Sequence, residues 1–105
     1  MPVGTVVRRL HATGHPDQTE TYDLEPKDIP TLVHQMKSFS DPRVTVSMEM
    51  KENNYGKGFG AFVSVSLSCA EDDVLGTYAA ASEMTAELVE DAFKKAHATF
   101  LKVQP

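Results

Sequence analysis

The sequence predicts an α+β domain of ββαββα order, an antiparallel sheet with one face covered by a short and a long helix. Two observations carry this. Residues 43 to 51 and 59 to 68 alternate apolar and polar side chains, the period of strands buried on one face only. Residues 73 to 102 instead repeat apolar side chains at helical spacing. At 105 residues there is room for one core, so residues 1–105 are expected to form a single domain.

The elements follow in order. Residues 3 to 11, VGTVVRRLH, are rich in β-branched side chains and run into the turn-forming Thr13-Gly14-His15-Pro16-Asp17. Residues 18 to 24, QTETYDL, alternate and supply the second strand of a hairpin. Asp28 suits the N-cap of a short helix and Pro30 is tolerated in its first turn. Ile29, Leu32, Val33, Met36 and Phe39 keep helical spacing until Ser40-Asp41-Pro42 stops it.

In the third strand Val44, Val46, Met48 and Met50 face one way, and Arg43, Thr45, Ser47, Glu49 and Lys51 the other. In the fourth, Phe59, Ala61, Val63, Val65 and Leu67 share a face opposite Gly60, Phe62, Ser64, Ser66 and Ser68. The linking stretch from Glu52 to Gly58 reads as longer than a minimal hairpin turn. In the long helix the expected buried stripe is Leu75, Tyr78, Ser82, Ala86, Val89, Phe93, Ala96, Phe100 and Val103, widened by Ala81, Leu88 and Ala92. Acids (Glu71, Asp72, Asp73) precede it and lysines lie toward its end, which suits the helix dipole.

Length has a consequence. A helix of about 28 residues spans about 42 Å, whereas strands of about 9 residues span about 30 Å. The helix is therefore expected to overhang its sheet, with Phe93, Phe100 and Val103 at the far end. A second copy of the chain is the simplest cover for such apolar side chains, so a homodimer is expected.

Composition narrows the function classes. The net charge of −5, without a basic tail, argues against a duplex DNA binder, whose affinity comes mainly from neutralising phosphates. A single cysteine, Cys69, leaves no intramolecular disulfide. The start, MPVGTVVRRL, lacks the basic-then-apolar order of a signal peptide, and no apolar run reaches membrane-spanning length. A cytoplasmic protein with no membrane partner is expected.

The tip of the second hairpin is the most suggestive stretch. Lys57-Gly58-Phe59-Gly60 matches the first half of the strand signature of RNA-recognition motifs, and Phe62-Val63-Ser64-Val65 resembles the second half. Ala61 is inserted between them. Side chains alternate along a strand, so the insertion sends Phe59 and Phe62 to opposite faces unless a bulge restores the phase. Val65 also stands where the signature ends in an aromatic, and the order ββαββα differs from βαββαβ. The function of that family is therefore not carried over. The plainer reading is that Gly56, Gly58 and Gly60 relieve a twisted loop, Phe59 joins the core and Lys57 is solvated.

Other constellations are weaker. Thr45, Ser47, Ser64, Ser66 and Ser68 make a polar sheet face with Phe62 as its large apolar group, either a self-association surface, a ligand platform or a solvated face. His11 and His15 flank a turn near Asp17, too few ligands for a metal site. His34 and His97 lack an evident partner. Cys69 precedes a helix start, but the neighbouring acids would raise its pKa, which disfavours a nucleophile. Arg8 and Arg9 point to opposite faces of a strand. No phosphate loop, nucleophile elbow, zinc pattern or dinucleotide fingerprint occurs. No cofactor, metal or catalytic set is expected.

The run Asn54-Tyr55-Gly56-Lys57-Gly58-Phe59-Gly60, the alternating Val63-Ser64-Val65-Ser66-Leu67-Ser68-Cys69 and the acidic start of a long C-terminal helix resemble small proteins encoded by bacteriophages. The resemblance covers about residues 44 to 100. It implies a bacterial-cytoplasm setting and an accessory role, and supplies no active-site residues. The expected function is thus a non-enzymatic, self-associating binding protein acting on a protein partner. Its candidate binding residues are Tyr55, Lys57 and Phe59 at the hairpin tip and Phe62 on the open face. Two alternatives stand beside it. One is a single-stranded nucleic-acid binder using Tyr55, Lys57, Phe62 and Arg8 or Arg9. The other is a sponge or sensor for an anionic small molecule held between subunits.

Overall fold

A computed structural model of the chain describes residues 3–25, 28, 43–54, 56–68 and 74–103. Its elements are β1 (Gly4–Ala12), β2 (His15–Leu24), β3 (Arg43–Asn54), β4 (Lys57–Ser68) and one helix, α1 (Val74–Val103). The α+β class holds. The short helix expected from Asp28 to Phe39 lies outside the described residues except for Asp28, whose carboxylate accepts from the Glu25 N–H at 2.8 Å. Cys69 and His34 also lie outside them.

The four strands form one antiparallel sheet in the order β2-β1-β4-β3, so β1 and β4 are central. Both hairpins turn at the same end. β1 and β2 are joined through Thr13 and Gly14, the latter at φ 90°. β3 and β4 are longer than the alternation suggests. They pair out to Asn54 and Lys57, which leaves only Tyr55 and Gly56 between them, with Gly56 at φ 77°. The expected long connection is therefore a two-residue one, where a positive φ favours glycine. The turns are tied together by Thr13, whose N–H donates to Gly58 O at 2.8 Å while its hydroxyl accepts from the Gly58 N–H at 2.9 Å.

The one register break in the β1–β2 pairing falls between Leu10 and Ala12, whose partners are Gln18 and His15. The extra residue is on β2, where Pro16 sits. A proline cannot donate to a ladder, and an edge-strand bulge is where it does least damage.

Val6, Val63, Val65 and Leu67 are fully buried beneath α1, with Val3, Leu24, Val46 and Ala61 around them. The helix lies on the sheet through Thr77, Ala81, Thr85, Val89, Ala92 and Ala96. This corrects the expected stripe. Leu75 and Tyr78 are 84% and 54% exposed, Ala86 is exposed, and Val103 is 36% exposed. Phe93, Phe100 and Leu88 flank the seam half-buried rather than forming it. The physical reason is distance: side chains of one to three heavy atoms let the helix settle close to the pleated surface, and larger ones are displaced to either side. Thr85 satisfies its buried hydroxyl by donating to Ala81 O at 2.6 Å.

The overhang is corrected too. Strands of about 12 residues reach about 40 Å, nearly the length of the helix. The far end of α1 consequently meets the hairpin tips: Phe59 packs with Phe93 and Phe100 at centroid distances of 5.0 and 5.2 Å. It also stacks on His97 at 4.5 Å and 7°, the partner that the sequence did not reveal for that histidine.

Candidate functional site

The face of the sheet turned away from α1 carries no described element over it. Directly opposed residues share a face, so the pairings lay out its rows. One row runs Asp23, Thr5, Ser66, Thr45, and the next Thr21, Val7, Ser64, Ser47. Hydroxyls here bond to each other, Thr45 to Ser66 and Ser47 to Ser64, each at 3.1 Å. These bonds run from hydroxyl to hydroxyl, with no imidazole or carboxylate in them to act as a base.

The third row is Thr19, Arg9, Phe62, Glu49. Phe62 is half-buried, and the Arg9 guanidinium carbon lies 5.7 Å from its ring centroid, a cation–π contact. Beyond it, Gly60 is flanked by His11 and Lys51, and Gly58 lies opposite Asn53. Two successive outward positions on the central strand thus lack side chains. The result is a shallow hollow of about 470 Å³ lined by Arg9, His11, Thr13, Glu49, Lys51, Asn53, Gly58, Gly60 and Phe62, among others.

The glycines are required by their surroundings. A β-carbon on Gly58 would lie 2.2 Å from Glu52 O, and one on Gly60 would lie 2.9 Å from Lys51 Cβ. Strand β3 passes too close to β4 at the twisted tip to admit one. This explains the Lys57-Gly58-Phe59-Gly60 pattern without nucleic acid. Pairing across β4 is one-to-one with both neighbours from Phe59 to Leu67, so no bulge restores the phase around Ala61. Phe59 and Phe62 do lie on opposite faces.

The rim carries both signs. Lys51 Nζ lies 3.7 Å from Glu49 Oε1, and His11 Nδ1 bonds Asp17 Oδ1 at 2.7 Å. Among the described residues no group of three or more His, Cys, Asp or Glu is placed to hold a metal ion.

The structure separates the residues that the sequence singled out. Arg9 and Phe62 are in contact on the open face. Lys57 is exposed at the start of β4. Phe59 is 6% exposed in the core beside α1, so its ring is not offered at the surface. Arg8 is on the helix side, with its guanidinium 2.6 Å from Glu20 Oε2 and 3.7 Å from Asp91 Oδ2. It cannot share a platform with Phe62. Tyr55 lies outside the described residues. The sequence did not bring Glu49, Lys51, His11 and Asn53 together with Phe62 around one hollow. The parity of β3 was enough to put Glu49 and Lys51 on the Phe62 face, but finding them beside it needed the pairing register.

No described helix is long and apolar enough to cross a membrane. Comparison of the chain with protein-family models, with curated proteins and with solved structures finds no match.

Proposed function

We propose that this protein is a non-enzymatic binding protein whose open sheet face receives a protruding aromatic side chain of a protein partner in the Gly58–Gly60 hollow. The observation that carries the reading is the hollow itself: a floor without side chains, walled by the Arg9–Phe62 cation–π pair and rimmed by charges of both signs. Interface hot spots have this form, an aromatic or arginine-lined pocket at the centre with a polar rim. The hollow is only half enclosed, which favours an anchor attached to a larger surface over a free small molecule, whose sites bury most of the ligand. Glu49 and Glu52 offset Arg9 and Lys51 around it, and the net charge of −5 works against a phosphate backbone. An accessory role in the bacterial cytoplasm is the setting that the resemblance to bacteriophage-encoded proteins implies.

The test is an amide NMR titration with N-acetyltryptophanamide as the side-chain probe. Signals of Gly58, Gly60 and Phe62 are expected to move together, and Phe62→Ser or Arg9→Ala is expected to weaken the response about tenfold, as for loss of a hot-spot contact. A salt-sensitive response to an eight-nucleotide oligothymidylate at the same signals, with none to the tryptophan probe, would replace this reading by single-strand binding. Shifts scattered away from the hollow would overturn both.

A further inference from the structure

Strand β3 is at an edge, and all twelve of its residues pair one-to-one with β4 with no register break. In an antiparallel ladder the N–H and C=O groups of alternate residues point to opposite sides. Half of the β3 backbone groups therefore point outward along its whole length, and among the described residues no strand lies beyond them. The opposite edge is protected: β2 carries Pro16 at its bulge. β3 contains neither proline nor glycine, and its stretch Val44–Met48 is uncharged. Val44 and Met48 on its helix side are only half-buried.

We propose that this edge binds a second copy of the chain, β3 against β3 antiparallel, in a register centred on Val46. Two-fold pairing that keeps the helix side of one sheet continuous with that of the other sets each residue opposite one of the same parity. Centred on Val46, the pairing places Arg43 opposite the partner's Glu49 twice, Val44 opposite the partner's Met48 twice, Thr45 opposite the partner's Ser47 twice and Val46 opposite itself. From Arg43 to Glu49 charge meets opposite charge, apolar meets apolar and hydroxyl meets hydroxyl. Moving the centre to Ser47 sets Arg43 against Lys51; moving it to Met48 sets Val44 against Glu52; moving it to Glu49 sets that carboxylate against itself. A centre on Met50 joins Glu49 to Lys51 but sets Met48 against Glu52. The Val46 register forms a continuous eight-stranded sheet with the glycine hollow of each copy on one shared face. It is independent of what that hollow binds.

The test is sedimentation equilibrium across micromolar to millimolar concentrations, with circular dichroism confirming that each variant is folded. The wild-type chain is expected to dimerise. Glu49→Arg and Arg43→Glu, each alone, put like charges at both ends of the seam and are expected to weaken the dimer about tenfold. The double variant Arg43→Glu/Glu49→Arg restores opposite charges and is expected to recover wild-type affinity. An equimolar mixture of the two single variants is expected to form a heterodimer tighter than either homodimer. A strict monomer at all concentrations would sink the proposal, and so would a dimer indifferent to these swaps.

Discussion

Gly58 and Gly56 are two residues apart and serve different ends. Gly58 has no room for a β-carbon, whereas Gly56 has open space around it but a backbone of φ 77°. Gly58→Ala must push the β3 backbone aside and is expected to lower stability by about 3 kcal/mol, the upper end for overpacking. Gly56→Ala pays only for the left-handed backbone, about 1 kcal/mol. Urea unfolding of the two variants checks this, and equal losses would show that β3 yields easily at the tip. The contrast also marks what could be read beforehand. A glycine-rich hairpin tip is evident in the sequence, and so is the inserted Ala61. Which glycine answers to a dihedral angle and which to a neighbour's backbone depends on where β3 lies.

The helix shows the same limit at the scale of an element. Helical periodicity located α1 to within a residue or two, but the stripe read from it put Leu75 and Tyr78 on the buried side. The seam is rotated toward Thr77, Ala81 and Thr85 by somewhat less than one residue step of about 100°. Small side chains permit the closest approach, so it is small residues that occupy the contact. Ala81→Leu or Thr85→Leu is accordingly expected to cost about 1–3 kcal/mol, while Leu75→Ala stays within about 0.5 kcal/mol. Thermal unfolding of the three variants measures this, and the reverse ranking would restore the stripe read from the sequence. In β1 the adjacent apolar Val6 and Val7 leave the phase open, whereas the faces of β3 and β4 hold because their period is two. A one-residue error there inverts every side chain, so a clean alternation leaves no intermediate answer.

At the scale of the molecule, Arg8 joins three elements. From β1 it reaches Glu20 on β2 and Asp91 on α1, and it lies near Tyr22. Burial raises the Tyr22 phenol above its ordinary pKa of 10.0, and the positive charge of Arg8 opposes that shift. The phenol is neutral when protonated, so the fold retains a proton that the unfolded chain gives up first. This contribution to stability is complete below about pH 10 and is lost as pH rises through the higher folded value. Tyr22→Phe is expected to flatten the alkaline fall in stability relative to wild type. Urea unfolding between about pH 8 and 11 reads it, and parallel curves for the two proteins would contradict it.

The α+β class, the two hairpins and the opposite facing of Phe59 and Phe62, and of Arg8 and Arg9, are legible in the chain alone. These are properties of one chain segment and its local period. The strand order β2-β1-β4-β3, the two-residue turn at the β3–β4 tip, the small-residue seam of α1 and the hollow beside Phe62 emerge when the elements pack together. Each of these depends on how near one element comes to another. Two parallel patterns in a sequence hold no record of the distance between them, and at the Gly58–Gly60 tip that distance is what makes the site.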